Sequence, residues 1–125
     1  NHRFSQTDLW MIKDNHKMFF GGIKNSIDFF KSVGAFYQGT ELEVHTEEEL
    51  YEGIELGLKN FMLDNFPPDQ IRKIVREKPG DITIEVSGGI NLENISDYLI
   101  SGVDAISIGG LTYGAPPVDL SMKII

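Results

Sequence analysis

What most constrains this chain is its alternation of short β-like apolar runs with longer helical stretches, with no hairpin turn between them. Asp8–Lys13, around Leu9, Trp10, Met11 and Ile12, predicts a first strand. Glu41–Val44, Asn60–Leu63, the β-branched Ile82–Val86 and Ala105–Ile108 predict four more. Between them, Gly21–Val33 reads as a helix with Ile23, Ile27 and Phe30 at helical spacing and Gly34 as its stop. Thr46 and Glu49 form a capping box that opens a helix carrying Leu50 and Ile54 and ending near Gly57. Pro67 and Pro68 suit the first turn of a helix whose apolar face is Ile71, Ile74 and Val75. Asn91 caps a helix with Ile95, Tyr98 and Leu99, stopped by Gly102. Val118–Ile124 fits a sixth strand or a final helical turn.

Strands joined only through helices run parallel by crossover connections. The middle strands read as apolar on both faces, as buried parallel strands do. From Glu43 onward the strand ends recur at roughly 22-residue intervals, the length of a βα unit in a barrel. No Gly-x-Gly-x-x-Gly follows the first strand, and the chemically special residues sit after many strands rather than at one switch point. The expected fold class is therefore α/β, a parallel βα barrel. It is expected as a partial barrel, because a full one needs more strands than this chain supplies.

Composition excludes several functions. The formal net charge of −8 argues against sequence-independent nucleic-acid binding. No apolar run is long enough to cross a bilayer. No cysteine is present, so disulfides, thiolate catalysis and cysteine-held metals are out, and a cytoplasmic setting is the simplest expectation. The polar start Asn1-His2-Arg3, without an initiator methionine or an apolar stretch behind it, leads us to expect a fragment or processed chain without a signal peptide.

Three constellations carry chemistry. His2, Arg3 and Lys13, with Asp14-Asn15-His16 behind, offer a planar guanidinium fork and a movable ammonium, a set that suits a small dicarboxylate. Glu43 and Asp64 end adjacent strands, where carboxylates can accept a ribose diol, position Mg²⁺ or steady a developing oxocarbenium ion. Glu41 shares a strand face with Glu43, so spacing does not choose between them. Asp64-Asn65 also suits a cap for the helix that comes next. Finally, Ser87-Gly88-Gly89 and Gly109-Gly110 follow neighbouring late strands, where glycine exposes backbone N–H groups to a phosphate. His45 has no evident partner and is expected as a surface or packing histidine. The three histidines lack a short ligand spacing, which argues against structural zinc. Phe19-Phe20 and Phe29-Phe30 are expected in the core or at a subunit contact.

Taken together these residues resemble the quinolinate phosphoribosyltransferase family, essentially end to end. The resemblance rests on Asn1-His2-Arg3, Ile12-Lys13-Asp14-Asn15-His16, Glu41-Leu42-Glu43-Val44, Leu63-Asp64-Asn65, Glu85-Val86-Ser87-Gly88-Gly89-Ile90, Gly102-Val103-Asp104 and Gly109-Gly110-Leu111-Thr112. It implies a type II phosphoribosyltransferase barrel. The implied reaction joins quinolinate to phosphoribosyl pyrophosphate with Mg²⁺, giving nicotinate mononucleotide, carbon dioxide and pyrophosphate in NAD biosynthesis. His2, Arg3 and Lys13 then match quinolinate-binding positions. Glu43, chosen over Glu41, and Asp64 match the acidic pair near ribose and Mg²⁺. Ser87, Gly88, Gly89, Gly109, Gly110 and Leu111 match the part that binds phosphoribosyl pyrophosphate. Lys13, Glu43 and Asp64 are the implied catalytic residues.

The resemblance further implies a homodimer or higher homo-oligomer whose partner subunit donates an arginine. It also implies an N-terminal domain absent from these 125 residues, so the chain alone is expected to be inactive or nearly so. One departure is Tyr113-Gly114, where the family usually carries histidine. Alternatives are a related barrel phosphoribosyltransferase for another aromatic acid, which Lys13-Asp14-Asn15-His16 argues against, and a non-catalytic phosphate-binding half-barrel.

Overall fold

A computed structural model describes residues 8–34 and 38–114, together with Leu120 and Met122. In chain order the elements are β1 (Leu9–Ile12), α1 (Asp14–Phe20), α2 (Ile23–Val33), β2 (Gly39–Val44), α3 (Glu47–Glu55) and β3 (Asn60–Asp64). They continue with α4 (Pro68–Glu77), β4 (Thr83–Ser87), α5 (Ile95–Tyr98), β5 (Ala105–Ile106) and α6 (Gly110–Tyr113). The expected final element at Val118–Ile124 lies outside the described residues except for Leu120 and Met122, which belong to no helix or strand.

The strands form one parallel sheet in the order β1-β2-β3-β4-β5. An order that never reverses is that of a barrel wall. A doubly wound sheet turns back on itself at a switch point. With right-handed crossovers stepping in one direction, the connecting helices cover one face. The register aligns Ile12 with Leu42, Leu42 with Phe61 and Phe61 with Ile84. One layer further on it aligns Val44, Leu63, Val86 and Ile106. These side chains, apart from the half-buried Ile106, are buried, and with Ile27, Leu50, Ile71 and Ile74 from the helices they make the core.

The opposite face corrects the expectation that the middle strands are apolar on both sides. By the period of two it carries Glu41, Glu43, Asn60, Met62, Asp64, Glu85 and Ser87. Ser107 Oγ donates to the Glu85 carboxylate on this side. Alternation, not a continuous apolar run, is what lets the sheet carry a polar inner wall.

A second difference is α1, a short helix where the sequence pattern suggests only a site loop. Its start is held by His16, whose Nδ1 accepts the Lys13 backbone N–H at 3.0 Å. Histidine is not one of the residues that usually mark a helix start, so the sequence carries no visible signal for it. Gly21, at φ 76°, ends the helix, and Gly22 N–H returns to the Lys17 carbonyl at 2.7 Å. The turn folds α1 onto α2 and lines up an aromatic run. Phe20 stacks on Phe29 at 4.4 Å, and Phe30 meets Trp10 edge-on at 5.6 Å. Phe30 packs against the core, whereas Phe19 and Phe29 are exposed.

Helix α3 packs closely on the sheet at Gly53. A Cβ there would lie 2.6 Å from a Phe61 ring carbon and 2.8 Å from a Leu42 methyl, both on fully buried residues. Alanine is the better helix former by about 1 kcal/mol. Overpacking a rigid core costs about 1–3 kcal/mol and prevails here. Gly53→Ala is therefore expected to lower the urea midpoint with m unchanged, by an amount worth about 1–2 kcal/mol. A stabilised variant would show that α3 is free to move away from the sheet.

Candidate functional site

Because all five strands are parallel, their C-terminal ends lie along one edge. Lys13 follows β1, Glu43 is the penultimate residue of β2 with His45 just beyond, Asp64 closes β3 and Ser87 closes β4. These are the positions at which a barrel builds its site. A cavity of about 230 Å³ lined by Ile27, Lys31, Gly39, Thr40, Lys59 and Asn60 lies at the other edge, near the strand starts.

The structure brings Lys13, Glu43 and Asp64 together and places His45 among them. Lys13 Nζ stands 3.7 Å from Glu43 Oε2. His45 Nε2 meets Asp14 Oδ2 at 2.7 Å and Glu43 Oε1 at 3.7 Å, while its Nδ1 faces Asp64 Oδ2 at 3.4 Å. The expectation of a partnerless His45 is thus overturned. It sits at the centre of three carboxylates contributed by three successive strand ends. Sequence spacing hides this, because the partners lie 31, 2 and 19 residues away by number. Glu43 rather than Glu41 faces this group, since Glu41 lies two residues earlier and is buried in the sheet.

Beneath the carboxylates lies Lys17, on α1 and with its side chain only 9% exposed. Its Nζ bonds Asp14 Oδ1 at 2.7 Å, both Glu49 carboxylate oxygens at 2.9 Å and the Glu43 backbone carbonyl at 3.2 Å. Burial, the largest single influence on this ammonium, pulls its pKa down. The bonds to Asp14 and Glu49 and their charges outweigh it, and the pKa ends above 10.5. Asp14 is held below 3.8, first by the hydrogen bond from Lys17, against a smaller opposing effect of burial, and then by the charges of Lys17 and His45.

Glu49 also completes the α3 cap. Thr46 Oγ1 accepts the Glu49 N–H at 3.2 Å, and Glu49 Oε2 accepts the N–H of His45 at 2.9 Å. The capping box is therefore present, with its return bond shifted by one residue onto His45. Around the site, Asp14, Glu43, Glu49 and Asp64 supply four carboxylates against two ammonium groups, Lys13 and Lys17. Asp14, Glu43 and His45 each place a donor atom within 4.8 Å of the others, so the group could hold a metal ion.

Next to Asp64 the backbone turns sharply. Asn65 sits at φ 59°, its N–H bonds the Ser87 carbonyl at 2.9 Å, and its Nδ2 donates to Asp64 Oδ2 at 2.8 Å. Asn65 thus orients the carboxylate, and the helix-cap role left open for Asp64-Asn65 is not taken up, since Pro67 is the N-cap of α4 and no side chain bonds there. Gly88 and Gly89 both take positive φ, 92° and 64°. A Cβ on Gly88 would lie 2.4 Å from Asn65 Oδ1 and 2.7 Å from Asn65 N, so the turn after β4 packs directly on the turn after β3. Asn91 caps the segment leading into α5, its Oδ1 accepting from Glu93 N and Asn94 N at 2.8 and 3.2 Å.

The second glycine pair is different. Gly109 is right-handed, at φ −57°, and Gly110 opens the short α6 with Leu111 inside it. A Cβ on Gly109 would meet the hydroxyl end of the exposed Tyr113 side chain, which can swing away. The positive φ expected at both glycine pairs is therefore found at Gly88-Gly89 alone. His2 and Arg3 lie outside the described residues. No helix among the described residues is long and apolar enough to cross a membrane.

Comparison with known proteins agrees with this geometry. Residues 1–123 match the family model described as quinolinate phosphoribosyl transferase, C-terminal domain. The chain is 39% identical to a nicotinate-nucleotide pyrophosphorylase (carboxylating) from Dictyostelium discoideum, over 98% of this chain and 42% of that protein. It is also 39% identical to a probable enzyme of that name from Bacillus subtilis, over 99% of this chain and 43% of the relative. The crystal structure of NadC from Streptococcus pyogenes superposes with a TM-score of 0.83 at 34% identity, covering 98% of this chain and 43% of that one. The chain thus spans less than half the length of the relatives it matches.

The site geometry leads to two expected outcomes. Gly88→Ala is expected to cost about 2–4 kcal/mol, combining strain at positive φ with overlap against Asn65. Denaturant titration checks the loss, and an unchanged midpoint would mean that the two turns are not in contact. The second concerns pH. Asp14 is depressed, so its contribution is complete above 3.8 and fades as pH falls through its lower folded value. Lys17 is raised, so its contribution is complete below 10.5 and fades as pH rises through its higher folded value. Asp14→Asn should flatten the acid limb of stability by under about 1 kcal/mol, since Asp14 is half exposed. An acid limb identical to that of the wild type would mean that the Asp14–Lys17 pair contributes nothing to stability.

Proposed function

The chain belongs to the quinolinate phosphoribosyl transferase family, by its match to the C-terminal domain, and from that premise we propose that it carries much of a site for phosphoribosyl transfer to quinolinate. Residues 1–125 are read as the C-terminal part of the barrel domain, working with an N-terminal domain and as a homodimer or higher oligomer. The products are nicotinate mononucleotide, carbon dioxide and pyrophosphate. The observation that supports this most is the convergence at one sheet edge of Lys13, Glu43 and Asp64 with the Ser87-Gly88-Gly89 turn.

Each group has a role that its chemistry allows. Lys13, with His2 and Arg3, holds the two carboxylates of quinolinate and aims the pyridine nitrogen at the anomeric carbon, so orientation lowers much of the barrier. Glu43 and Asp64 accept the ribose hydroxyls and lie where positive charge develops as pyrophosphate departs. The N–H groups of the Ser87-Gly88-Gly89 turn receive phosphate oxygens, and Gly109, Gly110, Leu111 and the exposed Tyr113 extend that region. The cationic ring nitrogen then stabilises the electron pair left on the adjacent ring carbon when its carboxylate departs as carbon dioxide, and that carbon takes a proton from water.

The donor set fits Mg²⁺. Glu43, Asp64 and Asp14 are hard oxygen donors, and the carboxylates outnumber the ammonium groups. Mg²⁺ characteristically takes one or two carboxylates together with substrate phosphates. When bound, it neutralises charge on the departing pyrophosphate.

Calorimetry with quinolinate, with phosphoribosyl pyrophosphate plus Mg²⁺, and with inorganic phosphate tests the reading. Binding of phosphate but of no dicarboxylate by the chain joined behind the N-terminal half of its Bacillus subtilis relative would refute it in favour of a phosphate-binding module. Lys13→Ala in that protein should weaken quinolinate about ten- to hundredfold, as expected for a lost charge-assisted contact. Unchanged affinity would remove Lys13 from the site. The 125 residues alone should show little or no turnover, and a rate equal to that of a full-length relative would contradict this division of the site.

A further inference from the structure

We infer that Lys17 is a positioning residue for the acidic end of the site, a buried ammonium that sets where Glu43 and His45 stand. The inference rests on the proposed function and extends it to a residue with no assigned role. Lys17 directs its ammonium at three segments: Asp14 Oδ1 after β1, the Glu43 carbonyl on β2, and both Glu49 oxygens at the start of α3. Each partner in turn holds a site group. Asp14 Oδ2 bonds His45 Nε2 at 2.7 Å. Glu49 Oε2 bonds the His45 N–H at 2.9 Å. The Glu43 carbonyl belongs to the residue whose carboxylate faces Lys13.

The other ion pairs among the described residues do not do this. Lys24–Asp28 lies within one helix, and Lys59–Asp81 joins exposed side chains near the strand starts. Lys13–Glu43 also links β1 to β2, but at 3.7 Å and with a half-exposed lysine. Without the Lys17 charge, Asp14, Glu43, Glu49 and Asp64 would face one remaining ammonium, and their repulsion would part the ends of β1 and β2. The turn after β4 is held separately, by Asn65 and the Ser87 carbonyl. Lys17 should therefore govern a ligand that engages Glu43 and Asp64, and leave phosphate at Ser87-Gly88-Gly89 unaffected.

The test uses the chain joined behind the N-terminal half of its Bacillus subtilis relative, and compares this wild type with Lys17→Met, which keeps the apolar stem, and with the milder Glu49→Gln. The probes are phosphoribosyl pyrophosphate with Mg²⁺ and inorganic phosphate, followed by calorimetry, and the ¹⁵N resonances of the His45 ring. Lys17→Met should weaken phosphoribosyl pyrophosphate by about tenfold, the scale of a sub-ångström displacement where 1 Å is worth about a hundredfold. Phosphate affinity should stay within about twofold of wild type. The His45 ring resonances should shift, and Glu49→Gln should move every readout in the same direction by less. Equal losses for both ligands, unchanged affinities in both variants, or unshifted His45 resonances would overturn the inference. If Lys17→Met does not fold, Glu49→Gln decides alone. A wild type that binds no phosphoribosyl pyrophosphate would count against the proposed function, while the His45 resonances would still judge Lys17.

Discussion

Parallel pairing of five strands in unbroken sequence order is the constraint on which the rest of the molecule depends. It fixes a common direction, so every strand delivers its last residue to the same edge. The register that buries Leu42, Phe61 and Ile84 also sends Glu43, Asp64 and Ser87 to the inner wall. A slip by one residue would bury the carboxylates and expose the core, so apolar packing indirectly protects the chemistry.

Gathering acids at one edge creates an electrostatic problem that the chain meets locally. Its overall charge of −8 offers no help. Lys17 is buried among the very groups that need it. The cost of removing its ammonium from water is offset because its donors meet two carboxylates and a carbonyl. Glu49 serves at once as a helix cap, a partner of Lys17 and an acceptor for His45. Helix capping, charge balance and placement of the site are one network here. The proposed function rests on the same edge and on the same donors.

Much of this is legible in the residues alone. All five strands are expected within a few residues of their observed ends, because β-branched runs and glycine stops are local signals. The Thr46–Glu49 cap and the Asn91 cap are expected for the same reason, and the family resemblance is borne out by the match over residues 1–123. The failures are partly long-range and partly local. His45 looks partnerless because its partners come from other strands. α1 escapes notice because its N-cap is Lys13 and an imidazole at the third helical position takes the place usually held by glutamate or glutamine. Gly109-Gly110 looks like Gly88-Gly89 in sequence, yet only Gly88-Gly89 takes positive φ, with Gly88 packed on the Asn65 backbone.

The sequence by itself determined the order of the five strands and of the main helices between them, and placed Lys13, Asp64 and Ser87 at strand ends. Those are properties of neighbouring residues, governed by propensity and period. Only the tertiary structure decided that His45 stands among three carboxylates, that Lys17 is buried beneath them, and that Asn65 joins two turns. The physical reason is distance. Electrostatic and hydrogen-bond partners at this edge are up to 32 positions apart in the chain, and they meet only once parallel pairing brings the strand ends side by side.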